Sequence, residues 1–279
     1  MNLAIETYAL RKHYGDEAAF RMIKDAGFDG VDYSYYWLTE QDTVLGDDYI
    51  DQAHAIRRLL DGAGLVCRQC HAPFDAIHHT VWDESDPFYL SIVRSLESAR
   101  ILGADHIVVH CPYPSDDPTI DGMDENIRYF HAMEPFARRA GIKIAIENLF
   151  SNVTRLPDGH RTLCEALDPA VFVPLVDVGH AFRTGLQPAE YLHRFQPLCP
   201  AGLHVQDNMG VGDDHLIPGL GKIDWDALAA ALVEIGYTGD VTLEVLGFLR
   251  PFVGVCPNEL LKVAYASARM VADKIEAKR

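Results

Sequence analysis

Five times along this chain a glycine leads into a short, strand-like apolar run: "DAGFDGVDY", "DGAGLVCRQC", "LGADHIVVHC", "RAGIKIAIEN" and "IGYTGDVTLEV". Glycine is the usual residue just past a helix end, where the backbone turns left-handed. Gly27, Gly64, Gly103 and Gly141 are 37, 39 and 38 residues apart, a period that accommodates one helix, one strand and their loops. The intervening segments have helical apolar spacing and often open on an acid: Asp16, Asp47, Asp86 before Pro87, Asp124, and Asp224 before "WDALAAALVEIG". Eight strands are expected, at Leu3–Glu6, Gly30–Tyr33, Leu65–His71, His106–Cys111, Ile142–Glu147, Val171–Asp177, Gly202–Gln206 and Val241–Leu246. Alternating strands and helices imply a parallel α/β sheet, and eight repeats imply its closure into a single (β/α)8 TIM barrel. The reading places all of 1–279 in that one domain, with "ELLKVAYASARMVADKIEAKR" as the last outer helix and an open doubly wound sheet as the alternative.

Side-chain parity supports closure. In "IKIAIE", Ile142, Ile144 and Ile146 share one face of a strand and Lys143, Ala145 and Glu147 the other. In "VTLEV", Val241, Leu243 and Val245 oppose Thr242 and Glu244, and the same split sets Leu3 and Ile5 against Glu6, and Ile107 and Val109 against His110. The apolar parity is expected to face the helices and the polar parity the barrel interior.

The polar parity ends in reactive groups. Near the strand C-terminal ends stand Glu6, His71, His110, Glu147, Asp177 with His180, His204 and Glu244, and Asp213 and His215 follow in the loop after the seventh strand. The stretch "LVDVGHAF" shows the difficulty: an interior strand does not end in Asp177 and, three residues on, His180 unless something compensates them, because burying an unpaired charge is costly. Taken singly, His71 or His110 reads as a hydrogen-bonded histidine and Glu244 as a member of an ion pair. Ligand-type residues on seven of the eight strands read together as one site at the C-terminal mouth. Carboxylates and imidazoles that converge there describe a divalent metal site.

Other features narrow the class. A formal net charge of -17 opposes nucleic acid as a partner, since binding it requires clustered Lys and Arg. Glu6 comes too early for a signal-peptide apolar core and no run is long enough for a membrane span, so a cytoplasmic protein without membrane partners is expected. Of six cysteines, only Cys67 and Cys70 have the spacing of a redox or zinc pair. Three apart on a strand they are expected to point to opposite faces, as buried reduced thiols. "PGLGK" (218–222) lacks the Ser or Thr of a phosphate loop, since Ile223 follows, and reads as a turn. The aromatic run "YSYYW" (33–37), with Phe74, Trp82 and Phe248, suits either a sugar ring or loop packing, and His78 and His79 read as solvated loop residues.

Seven motifs then carry a resemblance: "CHAPF" (70–74), "VVHCP" (108–112), "IAIENL" (144–149), "DVGHAF" (177–182), "LHVQDN" (203–208), "DDHLIPGLGKIDW" (213–225) and "VTLEV" (241–245). In this order, over nearly the whole chain, they resemble the xylose isomerase-like barrel superfamily, most closely its sugar phosphate isomerase/epimerase branch. The resemblance to ketose 3-epimerases implies one divalent ion (Mn, Co, Mg or Zn) held by Glu147, Asp177, His204 and Glu244. It further implies Glu147 and Glu244 as the acid-base pair on opposite faces of a small sugar substrate, and His180 as a substrate contact. His71, His110 and Glu6 are further expected substrate-binding residues, and Asp213 and His215 additional metal ligands. Such a site would abstract a proton beside a carbonyl through a metal-stabilised cis-enediolate, and return of the proton to the same or the neighbouring carbon would give epimerisation or isomerisation.

Endonuclease IV, a trinuclear zinc enzyme acting at abasic sites in DNA, belongs to the same superfamily. The resemblance extends to its ligand pattern at His71, His110, Glu147, Asp177, His180, His204, Asp213, His215 and Glu244, while the acidic composition opposes DNA. The chain also departs from the epimerases. The acid usual after the fifth-strand Glu is missing from Phe150 to Thr154, and the Arg usual after the seventh-strand His is absent from "VQDNMGVGDD". Arg155, Arg183, Lys222 or Arg250 would then contact an anionic substrate group. The remaining alternatives are a sugar-acid dehydratase or aldose isomerase on the same scaffold, and a binding protein without turnover. A homo-oligomer fits the branch, though no interface is legible.

Overall fold

The computed structural model describes residues 1–36, 45–74, 81–112 and 122–279. Eight parallel strands follow one another around a barrel: β1 (Leu3–Glu6), β2 (Gly30–Ser34), β3 (Val66–His71), β4 (His106–Val109), β5 (Lys143–Glu147), β6 (Phe172–Asp177), β7 (Gly202–His204) and β8 (Val241–Leu243). β1 pairs with both β2 and β8. Between β7 and β8 closure rests on one parallel bridge, Val205 to Leu243, with Val205 N–H donating to Thr242 O at 2.8 Å and Glu244 N–H to Val205 O at 3.1 Å. This is the expected barrel, with β1 as expected and each other strand displaced at one end by up to three residues.

Helices fill the return path of each unit: α1 (Tyr8–Tyr14), α2 (Asp16–Ala26), α3 (Tyr49–Ala63), α4 (Pro87–Leu102), α5 (Gly122–Ala140), α6 (Pro157–Glu165), α7 (Val178–Arg183), α8 (Pro188–Phe195), α9 (Trp225–Glu234), α10 (Leu246–Leu249) and α11 (Pro257–Glu276). The four spaced glycines all have positive φ, from 67° at Gly64 to 111° at Gly27, which fits their place just past a helix or at a helix-to-strand turn. Of the acids expected to open helices, Asp86 and Asp224 do so, each accepting from two backbone N–H groups of the first turn. Asp16 is instead the first helical residue, Asp48 rather than Asp47 stands at the cap of α3 without a side-chain cap bond, and Asp124 lies inside α5.

Parity sorts the side chains as expected. Ile144, Ile146, Ile107, Val109, Val241, Leu243, Leu3 and Ile5 join the core between barrel and helices, while Val108, Ala145 and Leu175 form a separate apolar layer inside the barrel. Above that layer the interior is polar and buried: Glu6, Asp32, Glu147, Asp177 and His204 are each no more than 1% exposed. Among the described residues no helix is long and apolar enough to cross a membrane.

One expectation fails for a local reason. The register between β2 and β3 slips at Val31/Asp32, so that Cys67 pairs with Val31 and Gln69 with Asp32, leaving Arg68 as an extra residue on β3. The bulge reverses the alternation, and Cys67 Sγ and Cys70 Sγ lie on the same side, 3.5 Å apart. Both are buried and reduced, as expected, and burial raises the Cys70 thiol well above its ordinary range.

Candidate functional site

The inward residues at the upper ends of β3 to β8 meet beneath a cavity of about 460 Å³. Its wall includes Phe74, His110, Phe150, His180, Asp213, His215, Glu244 and Arg250. Asp177 ends β6 and caps α7, its Oδ1 accepting from His180 N–H at 2.6 Å. This is the local reason for "DVGHAF": the carboxylate starts the helix that carries the histidine toward the cavity. Asn148 braces the same corner, donating through Nδ2 to Asp177 O at 2.9 Å and accepting from Asp177 N–H at 2.7 Å.

Among the described residues, three donor sets have ligand atoms within 4.8 Å of one another: Glu147, Asp177, His204 and Glu244; His71, His110 and Glu147; and His180, Asp213 and His215. All nine residues singled out as possible ligands in the sequence are thus brought together, with Glu147 shared by two sets. His204 Nδ1 is 2.9 Å from Glu147 Oε1 and 3.4 Å from Glu244 Oε2, and His110 Nε2 is 3.0 Å from Glu147 Oε2. His71 Nε2 faces His110 Nε2 at 3.1 Å, and His215 Nε2 faces Asp213 Oδ2 at 3.1 Å.

Two observations test whether this cluster suits a cation. Asp177 Oδ2 and Glu244 Oε2 are buried without a hydrogen-bond partner among the described residues, which leaves two carboxylate oxygens with unused acceptor capacity there. Four imidazoles, moreover, each have one ring nitrogen engaged outside the cluster and the other turned into it. The outer partners are Ala72 O for His71, Asn148 O for His180, Glu244 O for His215, and the Asp32 carboxylate for His204, at 2.8 to 3.0 Å. Metal-binding histidines are held in this way. The donor set fits a divalent cation with mixed nitrogen and oxygen ligands.

The groups compensate one another electrostatically. Burial lowers His204 and His215, but Glu244 and the other neighbouring carboxylates outweigh it, holding His204 well above its ordinary value and His215 at about 10. Burial raises Glu147, yet His204, His110 and His71 bring it well below the usual carboxylate range. At Asp177 burial prevails over His180, and the carboxyl rises to about 7.

The remaining expected residues fall in different places. Glu6 is wholly buried beside the cluster rather than on the cavity wall, its Oε2 accepting from Tyr8 N–H at 2.7 Å. Burial raises its carboxyl to about 8. His71 and Glu147 lie beneath the wall, each 1% exposed. Of the four candidate cations, Arg250 lines the cavity, and the Arg183 guanidinium covers Phe150 at 3.5 Å from the ring centroid. Arg155 and Lys222 are exposed and lie off the cavity wall. Tyr33 and Tyr35 pack in the core, Trp82 against Tyr129, and Phe248 is partly buried at the core edge, leaving Phe74 on the cavity wall. Trp37, His78 and His79 lie outside the described residues. The "PGLGK" turn is tied by Gly219 N–H to Asp207 Oδ2 at 2.9 Å, so its backbone donor serves the chain itself.

Sequence reasoning passed over Asp32 and read Tyr36 only as one aromatic of "YSYYW". Tyr36 O–H donates to Glu244 Oε1 at 2.5 Å, which leaves Oε2 as the oxygen without a partner among the described residues. Tyr36 and His215 are the non-glycine residues with positive φ among those described, at 24° and 46°, and both bond to Glu244. Asp32 shares the inward parity of "GVDYS" with Gly30 and Ser34, a signal of the same kind that identified Glu147.

Comparison with known proteins agrees with this architecture. A D-tagatose 3-epimerase-like protein superposes with a TM-score of 0.75 at 20% identity, over 99% of this chain and 100% of that one. The 3-keto-D-glucoside 4-epimerase from E. coli gives 0.73 at 20% identity, over 97% and 99% of the two chains. An IolI protein with a binding zinc atom gives 0.73 at 17% identity, over 100% and 99%. At these identities the likeness is one of fold. An uncharacterized protein of Mycobacterium tuberculosis is 25% identical over 252 residues, 82% of this chain and 83% of that protein. One from Methanocaldococcus jannaschii is 29% identical over 184 residues, 62% of each chain. The profile of the family described as xylose isomerase-like TIM barrel matches residues 20–254, spanning β2 to β8 and every residue of the three donor sets. The chain therefore belongs to the xylose isomerase-like TIM barrel family.

Proposed function

We propose that this protein is a divalent-metal-dependent isomerase or epimerase of a small sugar or sugar derivative. The observation that carries the proposal is the set Glu147, Asp177, His204 and Glu244, with two carboxylate oxygens at the base of the upper cavity that have no partner among the described residues. Those four residues would hold the cation. When bound, it would supply Lewis-acid polarisation of a substrate carbonyl oxygen. Glu147 and Glu244 would then remove and return the proton on the neighbouring carbon, because both are carboxylates fixed by hydrogen bonds and facing one another across His204. His180, on the cavity wall, would hold a substrate oxygen, and Phe74 and Phe150 supply apolar walls that limit water. Arg250 on the same wall would meet an anionic substituent. The sugar epimerases among the structural neighbours support this class of reaction.

The test is solvent-deuterium uptake into a panel of ketoses and aldoses by metal-loaded protein, with Glu147→Gln and Glu244→Gln alongside. Exchange that both variants lose by at least about 100-fold supports the acid-base pair. Near-normal exchange in both would defeat it. Release of water from sugar acids without exchange would point to dehydration on the same scaffold, and sugar binding unaffected by chelation, without exchange, to a non-enzymatic binding protein.

A specific observation favours a second reading. The sets His71, His110, Glu147 and His180, Asp213, His215 give room for two further cations, the arrangement suited to phosphodiester hydrolysis at an abasic site. The net charge of -17 opposes a polyanionic substrate. Elemental analysis separates the two readings: one ion per chain favours the sugar reaction, and close to three zinc ions favours the hydrolase.

A further inference from the structure

The imidazoles of the cluster are not all oriented by the same kind of group. His71, His180 and His215 each donate to a backbone carbonyl, an acceptor present whatever the side chain. His204 is held from outside the cluster by a side chain: its Nε2 lies 3.0 Å from Asp32 Oδ2. The two residues stand on β7 and β2, which are not adjacent, so this contact crosses the barrel interior.

Asp32 is costly where it stands. It is wholly buried, and among the described residues its Oδ1 has no partner. Gln69 Nε2 donates to Oδ2 at 2.8 Å, and Gln69 Oε1 in turn faces His106 Nε2 at 3.0 Å. Gln69 thus turns its amide N–H₂ toward the Asp32 carboxyl and its oxygen toward His106 Nε2, so that each end of the amide is used. The bulge at Arg68 sets Gln69 opposite Asp32 in the pairing of β2 and β3. A buried carboxylate and an interrupted strand pairing thus meet at one point, which a barrel built only for packing does not need.

The geometry points to Asp32 as a positioning residue of the metal centre, which keeps the proton of His204 on Nε2 so that Nδ1 is presented to the cation, with Gln69 and His106 fixing Asp32 from below. This inference rests on the metal-dependent reading of the four-residue set. A neutral imidazole carries one proton, and with an acceptor at Nε2 the lone pair is left at Nδ1, the nitrogen 2.9 Å from Glu147 Oε1. Without the Asp32 carboxylate, the proton is drawn to Nδ1 by Glu147 and the cation loses its nitrogen ligand.

The experiment is calorimetric titration of Zn²⁺ into metal-stripped wild type, Asp32→Asn and Gln69→Met, with circular dichroism as the folding control. Long-range ¹H–¹⁵N spectra of the zinc-loaded proteins report the histidine tautomers. Asp32→Asn is expected to weaken zinc binding roughly 10- to 100-fold and to broaden or shift the Nε2–H pattern of His204. Gln69→Met, which keeps the carboxylate but frees it, should show a smaller loss in the same direction. Wild-type affinity and an unchanged His204 tautomer in folded Asp32→Asn would overturn the role while leaving the metal reading intact. If Asp32→Asn does not fold, wild-type affinity in Gln69→Met overturns it. Failure of the wild type itself to bind zinc removes the metal reading and this role together.

Discussion

The cavity at the lower mouth of the barrel, about 430 Å³, is nearly as large as the upper one, about 460 Å³. It is lined by residues at the strand starts, among them Arg68, Gln69, Asp105, His106, Lys143 and Asp240. Both mouths hold acids, bases and a buried histidine, yet the histidines behave oppositely. Burial lowers His106 to about 4, and Asp32 and Asp105 do not offset it. Burial lowers His215 as well, but Glu244 and Asp213 outweigh it and raise the imidazole to about 10. Desolvation is common to the two ends, and the number of carboxylates in direct contact decides the sign. At the lower mouth the charged side chains meet in a loose pair, Arg68 and Asp240 3.8 Å apart, whereas at the upper mouth they have been brought into close contact away from water. A cavity of suitable size is therefore no indication of chemistry by itself.

Strand β5 offers the largest test of this contrast, because Lys143 and Glu147 share its inward face at opposite ends. Glu147→Gln should reduce turnover by at least about 100-fold, and Lys143→Ala should leave it within about twofold. Equal losses in steady-state kinetics would break the distinction between the mouths. Next in size is the pH dependence of cation binding. Asp177 rises to about 7 in the metal-free chain, so a cation must displace its proton at lower pH. Affinity is expected to increase by about tenfold per pH unit for each proton displaced, up to about 7 for Asp177 and beyond it for His204, which is held well above its ordinary value, and calorimetry in buffers of differing ionisation enthalpy would count those protons.

The acid limb of stability sharpens the comparison from below. His106 and His160 both fall to about 4 because burial disfavours their charged forms. A folded value below the unfolded value of about 6.5 means that the unfolded chain binds more protons between those limits. Stability from these groups is complete above about 6.5 and is lost as pH falls toward 4. His106→Gln should flatten that limb by on the order of 1–3 kcal/mol, measured by urea unfolding at several pH values. Smallest is the lower-mouth ion pair: Arg68 and Asp240 are 3.8 Å apart and the Arg68 side chain is 56% exposed. Arg68→Ala should change stability by less than about 0.5 kcal/mol, and a larger loss would give the bulge residue a role the pair does not.

Much of the upper site was legible because barrel strands alternate strictly. "IKIAIE" and "VTLEV" identify Glu147 and Glu244 as inward residues before any coordinates are known, and "DVGHAF" identifies Asp177 and His180 by the improbability of leaving them unpaired. Asp32 obeys the same parity within "GVDYS" but sits in the middle of its strand, where a search confined to strand ends passes it by. Tyr36 follows the strand on the inward parity of Asp32 and Ser34, unlike Tyr33 and Tyr35, but it lies beyond the strand end and reads there as one of several aromatics. The cysteine pair failed for the converse reason: strict alternation was assumed across a bulge, and the extra residue Arg68 reversed it.

The sequence by itself determined the eightfold αβ repeat, the closure of the barrel and the residues that point into it, because helix-ending glycines and side-chain parity are local properties of the backbone. Tertiary structure alone decided which inward residues touch. Glu147 and His204 are 57 positions apart, and Asp32 and His204 are 172 apart. Those contacts depend on strand register, on a single bulge and on the width of the closed barrel, quantities set by the packing of all eight strands at once and by no segment alone.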